Sequence, residues 1–127
     1  MVYLDTNVVI YLLENHPVHG HPIAQKLTAL KEEGESFVAS TLLVTEFLAG
    51  TTGATFNDLS RFIDLEFKDV NLDIARQAAD YQRKYGLLIG DAIHLATATE
   101  LSPVSGLLTY DKQLAKAAAK HLTVFAA

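Results

Sequence analysis

The amino-acid sequence predicts an α/β fold with a mostly parallel central sheet covered by helices on both faces. Two observations carry this expectation. Short apolar segments without a polar face alternate with longer stretches of helical periodicity, the pattern of buried parallel strands joined by crossover helices. The chain is also 127 residues long, a length that suits one domain with one sizeable core. No internal repeat or linker is found, so residues 1–127 are expected to form a single domain.

The elements follow in order. Val2, Tyr3 and Leu4 read as a first buried strand, Asp5 as the turn after it, and Thr6 to Asn15 as a helix with apolar Val9, Ile10, Leu12 and Leu13. A loop from His16 to Pro22 leads into a second helix, where Ile23, Leu27 and Leu30 keep helical spacing until Gly34. Phe37 to Ala39 is a second strand, and Thr41 to Ala49 a helix ended by Gly50 and the Thr51, Thr52, Gly53 cluster. Phe56 to Leu65 is an amphipathic helix and Phe67 to Val70 a third strand. Asp73 to Tyr85 is a long helix closed by Gly86, with Ile74, Ala78 and Tyr81 on one face. Gly90 is expected to break the run before a helix from about Asp91 to Glu100. A strand (Val104 to Leu108), an Ala-rich helix (Lys112 to Lys120) and a last strand (Leu122 to Phe125) complete the chain.

Composition excludes several classes of protein. Half of the residues are apolar and a fifth charged, with only 3 prolines and 7 glycines, which argues against disorder. The absence of cysteine removes a disulfide scaffold, a thiolate nucleophile and a zinc knuckle. The start has no basic segment ahead of a long apolar run, and no apolar stretch approaches the ~18 residues of a membrane span, so a cytoplasmic protein without a membrane segment is expected. The net charge of −5, from 15 acidic and 10 basic side chains, speaks against a broad electrostatic grip on nucleic acid. Such a substrate would be held locally, by bound metal, a small basic patch, or both.

In an open parallel sheet, ligands bind beyond the carboxyl ends of the strands. Asp5 directly follows the first strand and Asp111 lies just past the Val104 to Leu108 segment, so both are expected at that edge. Taken singly, Asp5, Asp91 and Asp111 could each be a helix cap. Glu46 could not, because it lies inside a helix, beside the face carrying Leu42 and Leu43; its alternative is a rim position in water. Were the four to converge, each pair at ~4 Å would repel by about 4 kcal/mol at a surface-like dielectric, which a divalent cation would relieve. An all-oxygen set favours magnesium or manganese over zinc.

The chain resembles the PIN-domain nucleases over its whole length, and within them the VapC-like toxins of toxin-antitoxin pairs. The first motif is Tyr3-Leu4-Asp5-Thr6-Asn7; the second comprises Ser40, Thr41, Glu46 and Gly50. The third is Asp91-Ala92-Ile93-His94-Leu95-Ala96-Thr97-Ala98, and the fourth Leu108-Thr109-Tyr110-Asp111. A lone Asp-Thr-Asn triplet is weak, but four motifs in order are specific. The one departure is Leu114, where an aromatic residue is often found three positions after the fourth acid.

The resemblance implies a PIN-like three-layer α/β/α sandwich. It also implies that Asp5, Glu46, Asp91 and Asp111 are catalytic and bind one or two Mg2+ (or Mn2+) ions, with Thr6, Asn7 and Thr109 in support. Among such proteins the place of the fourth acid in the metal shell varies. The implied activity is endoribonuclease cleavage of RNA, leaving 5'-phosphate and 3'-hydroxyl ends. The implied partners are a VapB-like antitoxin and a second copy of the chain in a homodimer. Apolar surface around Ile10, Leu13 and Leu48 is the expected docking groove for the antitoxin, whose basic tail would suit the acidic site.

Other residues are read as structural. His16, His19 and His21 lie in a loop with no rigid element to set a metal site. His94, one helical turn after Asp91, could approach the site, but the edge of a packed helix is the preferred expectation. Arg61, Lys68, Arg83 and Lys84 are phosphate-contact candidates that a solvated face explains equally well. Two other functions compete. One is a catalytically silent binding module on the same fold, against which the intact acids speak. The other is a phosphoryl-transfer or receiver domain; the former would need a second Asp where Asn7 stands.

Overall fold

A computed structural model describes residues 1–51, 53–61, 64–101 and 104–125. Among the described residues, twelve elements follow one another: β1 (Val2–Leu4), α1 (Thr6–Leu13), α2 (Gly20–Glu32), β2 (Phe37–Ser40), α3 (Leu42–Gly50), α4 (Phe56–Ser60), β3 (Leu65–Lys68), α5 (Leu72–Tyr85), α6 (Ile89–Glu100), β4 (Gly106–Leu108), α7 (Lys112–Ala118) and β5 (Val124–Phe125). The strands form one sheet in the order β3-β2-β1-β4-β5, and every pairing is parallel, more uniform than the mostly parallel sheet expected.

The period-two alternation of strands divides the core into two layers. Val2, Leu4, Phe37, Ala39 and Leu108 face one side and pack with Val8 and Val9 of α1, Ile23 and Leu27 of α2, and Leu43 and Phe47 of α3. Tyr3, Val38 and Leu107 face the other, against Ile74 and Ala78 of α5, Ala92, Leu95 and Ala96 of α6, and Leu114 of α7. The result is the three-layer sandwich. Because β1 runs on to β2 and β3 on one side and β4 and β5 on the other, the order reverses between β1 and β4. A crevice at the carboxyl ends of such a pair is where parallel sheets bind ligands.

Several boundaries differ from the sequence expectation. Helix α2 begins at Gly20 rather than after Pro22. The ring nitrogen Nδ1 of His16 accepts the backbone N–H groups of Val18 and His19 at 3.1 and 3.0 Å, and Pro22 sits in the first turn, where an N–H has no intrahelical partner to lose. The third strand starts earlier, with Leu65 paired to Phe37, so the expected Phe56 to Leu65 helix ends sooner. Its described part is Phe56–Ser60; positions 62 and 63, like position 52 in the expected Thr51, Thr52, Gly53 turn, lie outside the described residues. Gly90 does not break the chain, because α6 starts at Ile89 and carries Gly90 in its first turn.

Candidate active site

Asp5 leaves β1 and caps α1. Its Oδ1 accepts the Thr6 N–H at 2.8 Å and its Oδ2 accepts the Thr109 hydroxyl at 2.8 Å. The same Thr109 oxygen accepts the N–H of Asp111 at 3.0 Å, so one hydroxyl joins the ends of β1 and β4 across the crevice. Asp111 in turn caps α7, accepting the Leu114 N–H at 3.0 Å. The local alternative of capping is therefore real for both, yet neither is confined to it.

Glu46 reaches the same place from the middle of α3. Its Oε1 accepts the Thr6 hydroxyl at 2.7 Å and lies 2.7 Å from Nε2 of His94. His94 also stands 3.0 Å from the Thr6 hydroxyl and 3.7 Å from Asp5 Oδ1, with Nδ1 2.6 Å from the Tyr3 hydroxyl. Asp91, in the first turn of α6, is no cap; that position belongs to Leu88.

The electrostatics reflect this crowding. Asp91 is pushed up to about 7, first by burial, then by the charges of Asp111 and Asp5 and a hydrogen bond shared with Asp111, against the pull of His94. Burial raises Asp5 as well, although His94, Thr109 and the Thr6 N–H oppose it. For Glu46, burial works against the charge, but hydrogen bonds from His94 and Thr6 outweigh it and hold the group below the usual carboxylate range. Burial disfavours the charged imidazole of His94, and Glu46 and Asp5 more than offset it, so His94 is raised. Among the described residues, no three His, Asp or Glu side chains already stand in the geometry of a metal shell.

The PIN domain family model matches residues 2–120. This chain belongs to the PIN domain family. Among solved structures, the PIN domain is similar to a chain of the VapBC2 complex from Rickettsia felis bound to a promoter DNA fragment, with 19% identity, 99% of this chain and 98% of that one covered, and a TM-score of 0.73. A toxin-antitoxin complex from Klebsiella pneumoniae matches with 22% identity, 91% and 90% coverage and a TM-score of 0.68. DNA-bound VapBC from Salmonella typhimurium matches with 16% identity, 98% and 96% coverage and a TM-score of 0.68. At these identities the likeness is one of fold. A comparison with curated proteins finds no match.

Within the PIN domain, Asp5, Glu46 and Asp111 are thus linked through Thr6, Thr109 and His94, while Asp91 feels the charges of Asp111, Asp5 and His94. Thr6 and Thr109 hold the acids. Asn7 is exposed and, among the described residues, makes no hydrogen bond to the four. The expectation for His94 was wrong: it is 1% exposed, not at a helix edge. A histidine amid Ala92, Ile93, Leu95 and Ala96 was the available signal, because a helix without a polar face has no edge to offer. His16 and His19 stack with ring centroids 4.9 Å apart, and the His16 Nδ1 is occupied by the backbone N–H groups of Val18 and His19 in the loop before α2.

Proposed function

We propose that this PIN domain is a toxin-type endoribonuclease that hydrolyses RNA phosphodiester bonds with the help of Mg2+ or Mn2+. The observation that carries this reading is the gathering of four acids from four separate elements at the crevice between β1 and β4, three of them joined by hydrogen bonds through Thr6, Thr109 and His94 and the fourth, Asp91, within reach of their charge. Their chemistry fits a hard divalent ion, since every donor is a carboxylate oxygen and burial, together with the like charges of Asp111 and Asp5, raises Asp91 to about 7.

Asp5, Glu46, Asp91 and Asp111 would hold the ion. When bound, it lowers the pKa of a water and stabilises charge on the leaving oxygen. Thr6 and Thr109 keep the Glu46 and Asp5 oxygens in place by donating to them. For the RNA backbone, we assign the cleft of about 350 Å3 between the end of α5 and α7, where Lys84, Lys116 and Lys120 gather and no carboxylate lines the wall. The ammonium groups of Lys84 and Lys120 lie 5.4 and 5.0 Å from the Tyr85 ring centroid. Of the other basic candidates, Arg83 pairs with Asp80, Lys68 with Glu100 at 3.7 Å, and Arg61 lines a different groove.

That second groove, of about 320 Å3, runs past Leu13, Phe47 and Ala54. Leu48, 40% exposed, follows Phe47 on α3 without lining the groove itself, and we count it as part of the same helix surface. We assign this surface to a VapB-like antitoxin, as the likeness to toxin-antitoxin chains suggests, and expect a homodimer. No helix among the described residues is long and apolar enough to cross a membrane, and a cytoplasmic setting is proposed.

The test is RNA cleavage by Asp5→Asn. Asn caps helices as well as Asp, so the fold should persist while Mg2+-dependent cleavage falls by at least about 100-fold, the scale of losing one charge-stabilising group. Cleavage that survives both this change and EDTA rejects the proposal. One observation favours a silent binding module instead, the lack of a ready-made metal shell among the described residues. Calorimetry with Mn2+ separates the two, because a silent module shows no binding that depends on Glu46 and Asp91.

A further inference from the structure

We infer that His94, held from behind by Tyr3, is the positioning residue that fixes the direction in which Glu46 presents its carboxylate. The inference rests on the proposed function only in taking Glu46 as a metal-site acid. Glu46 is a long side chain, 37% exposed, and water alone could satisfy it. Its Oε1 nevertheless takes two internal partners, the Thr6 hydroxyl and His94 Nε2, both at 2.7 Å. A ring nitrogen at that distance from a carboxylate oxygen acts as a donor. With Oε1 drawn inward, Oε2 is left at the first turn of α6, 3.0 Å from where a Cβ on Gly90 would stand.

The imidazole has no freedom of its own. Tyr3, at the centre of β1, is fully buried, and its hydroxyl lies 2.6 Å from His94 Nδ1. The two rings meet edge to face, with centroids 5.8 Å apart and planes at 65°. Both ring nitrogens are engaged, so Tyr3, His94 and Glu46 form a strut from the central strand to the crevice. A histidine that merely fills the core could use neighbouring hydroxyls. This one turns its Nε2 to an acid that solvent could reach, and such outer partners are what orient metal ligands.

The experiment compares Tyr3→Phe, His94→Leu and His94→Gln with the wild-type protein. Crystal structures without metal report the Glu46 side chain, calorimetry reports Mn2+ affinity, and thermal unfolding reports the fold. The expected result for His94→Leu is a displaced Glu46 and Mn2+ affinity lower by about 10- to 100-fold. RNA cleavage should lose kcat with KM unchanged, and His94→Gln, which keeps an N–H donor, should recover part of the loss. Tyr3→Phe retains the ring and should show the smaller version of each effect; it carries the comparison should His94→Leu not fold. Glu46 in its wild-type position in both crystals, with Mn2+ affinity unchanged, overturns the inference. A wild-type protein that binds no Mn2+ overturns the metal-dependent reading instead, and the crystallographic comparison then decides the strut by itself.

Discussion

Glu46 Oε2 lies 3.0 Å from the position a Cβ on Gly90 would take, so the first turn of α6 is bare where the carboxylate passes. Alanine there would press on the far end of a flexible side chain, which yields cheaply, while gaining up to about 1 kcal/mol of helix propensity. Gly90→Ala is therefore expected to leave Tm unchanged or raise it by a few degrees. The displaced carboxylate should lower kcat by roughly 10-fold, since misplacements near 1 Å cost about 100-fold. A variant that is both stable and fully active shows that Glu46 does not need this gap.

The pH dependence of metal binding tests the crowding of the acids. A carboxyl raised from 3.8 to about 7 in the folded protein, as Asp91 is, binds its proton more tightly there than in the unfolded chain. Without metal, stability should then fall as pH rises from about 4 to 7. His94, also raised, acts in the same sense: its contribution is full below its unfolded value and fades as pH climbs through the folded one. Asp5, raised by burial, adds to the same fall, whereas Glu46, lowered, acts in the opposite sense and only below its ordinary 4.5. Because protons and cations compete for the same oxygens, the Tm gain from Mg2+ should be larger at pH 8 than at pH 5.5, and Asp91→Asn should flatten the metal-free slope. A gain from Mg2+ equal at both pH values contradicts this account.

The sheet and the order of its helices were legible because alternation marks what is buried on both faces, and Asp5 and Asp111 because a residue just past a strand falls at the ligand edge. Glu46 stood out as an acid on an apolar helix face. The Tyr3–His94 contact was not legible, because it joins β1 to α6 across 91 positions and depends on strand register. Alternation puts Tyr3 on the face opposite Val2 and Leu4, but nothing local shows which helix covers that face. Gly90 misled for a related reason. A glycine that permits a close approach looks the same in sequence as one that ends a helix, and only Glu46 tells them apart.

Substrate grip should separate from chemistry at the lysine cleft. Lys84, Lys116 and Lys120 are exposed, so replacing all three by alanine should leave Tm almost unaltered. If they meet RNA phosphates, KM rises, kcat holds, and the slope of log affinity against log salt weakens by about 2, the loss expected for three contacts on a single strand. Mn2+ affinity should not move. An unchanged salt slope places the RNA elsewhere.

The proposed antitoxin surface can be tested without touching the acids. Leu48 is 40% exposed, so Leu48→Glu gives up part of its burial and should cost about 1 to 2 kcal/mol in the free protein, which the fold should tolerate. In a complex, the same carboxylate would be buried against an apolar helix with no partner, a cost of several kcal/mol and hence a loss of 100-fold or more in affinity. Co-expression with a VapB-like antitoxin that forms a stable complex with the wild-type chain should yield none with Leu48→Glu, while RNA cleavage by the purified variant stays normal. That combination also distinguishes a blocked docking groove from a damaged fold, because a misfolded chain would lose cleavage and binding together. A variant that still forms the complex moves the docking surface away from α3.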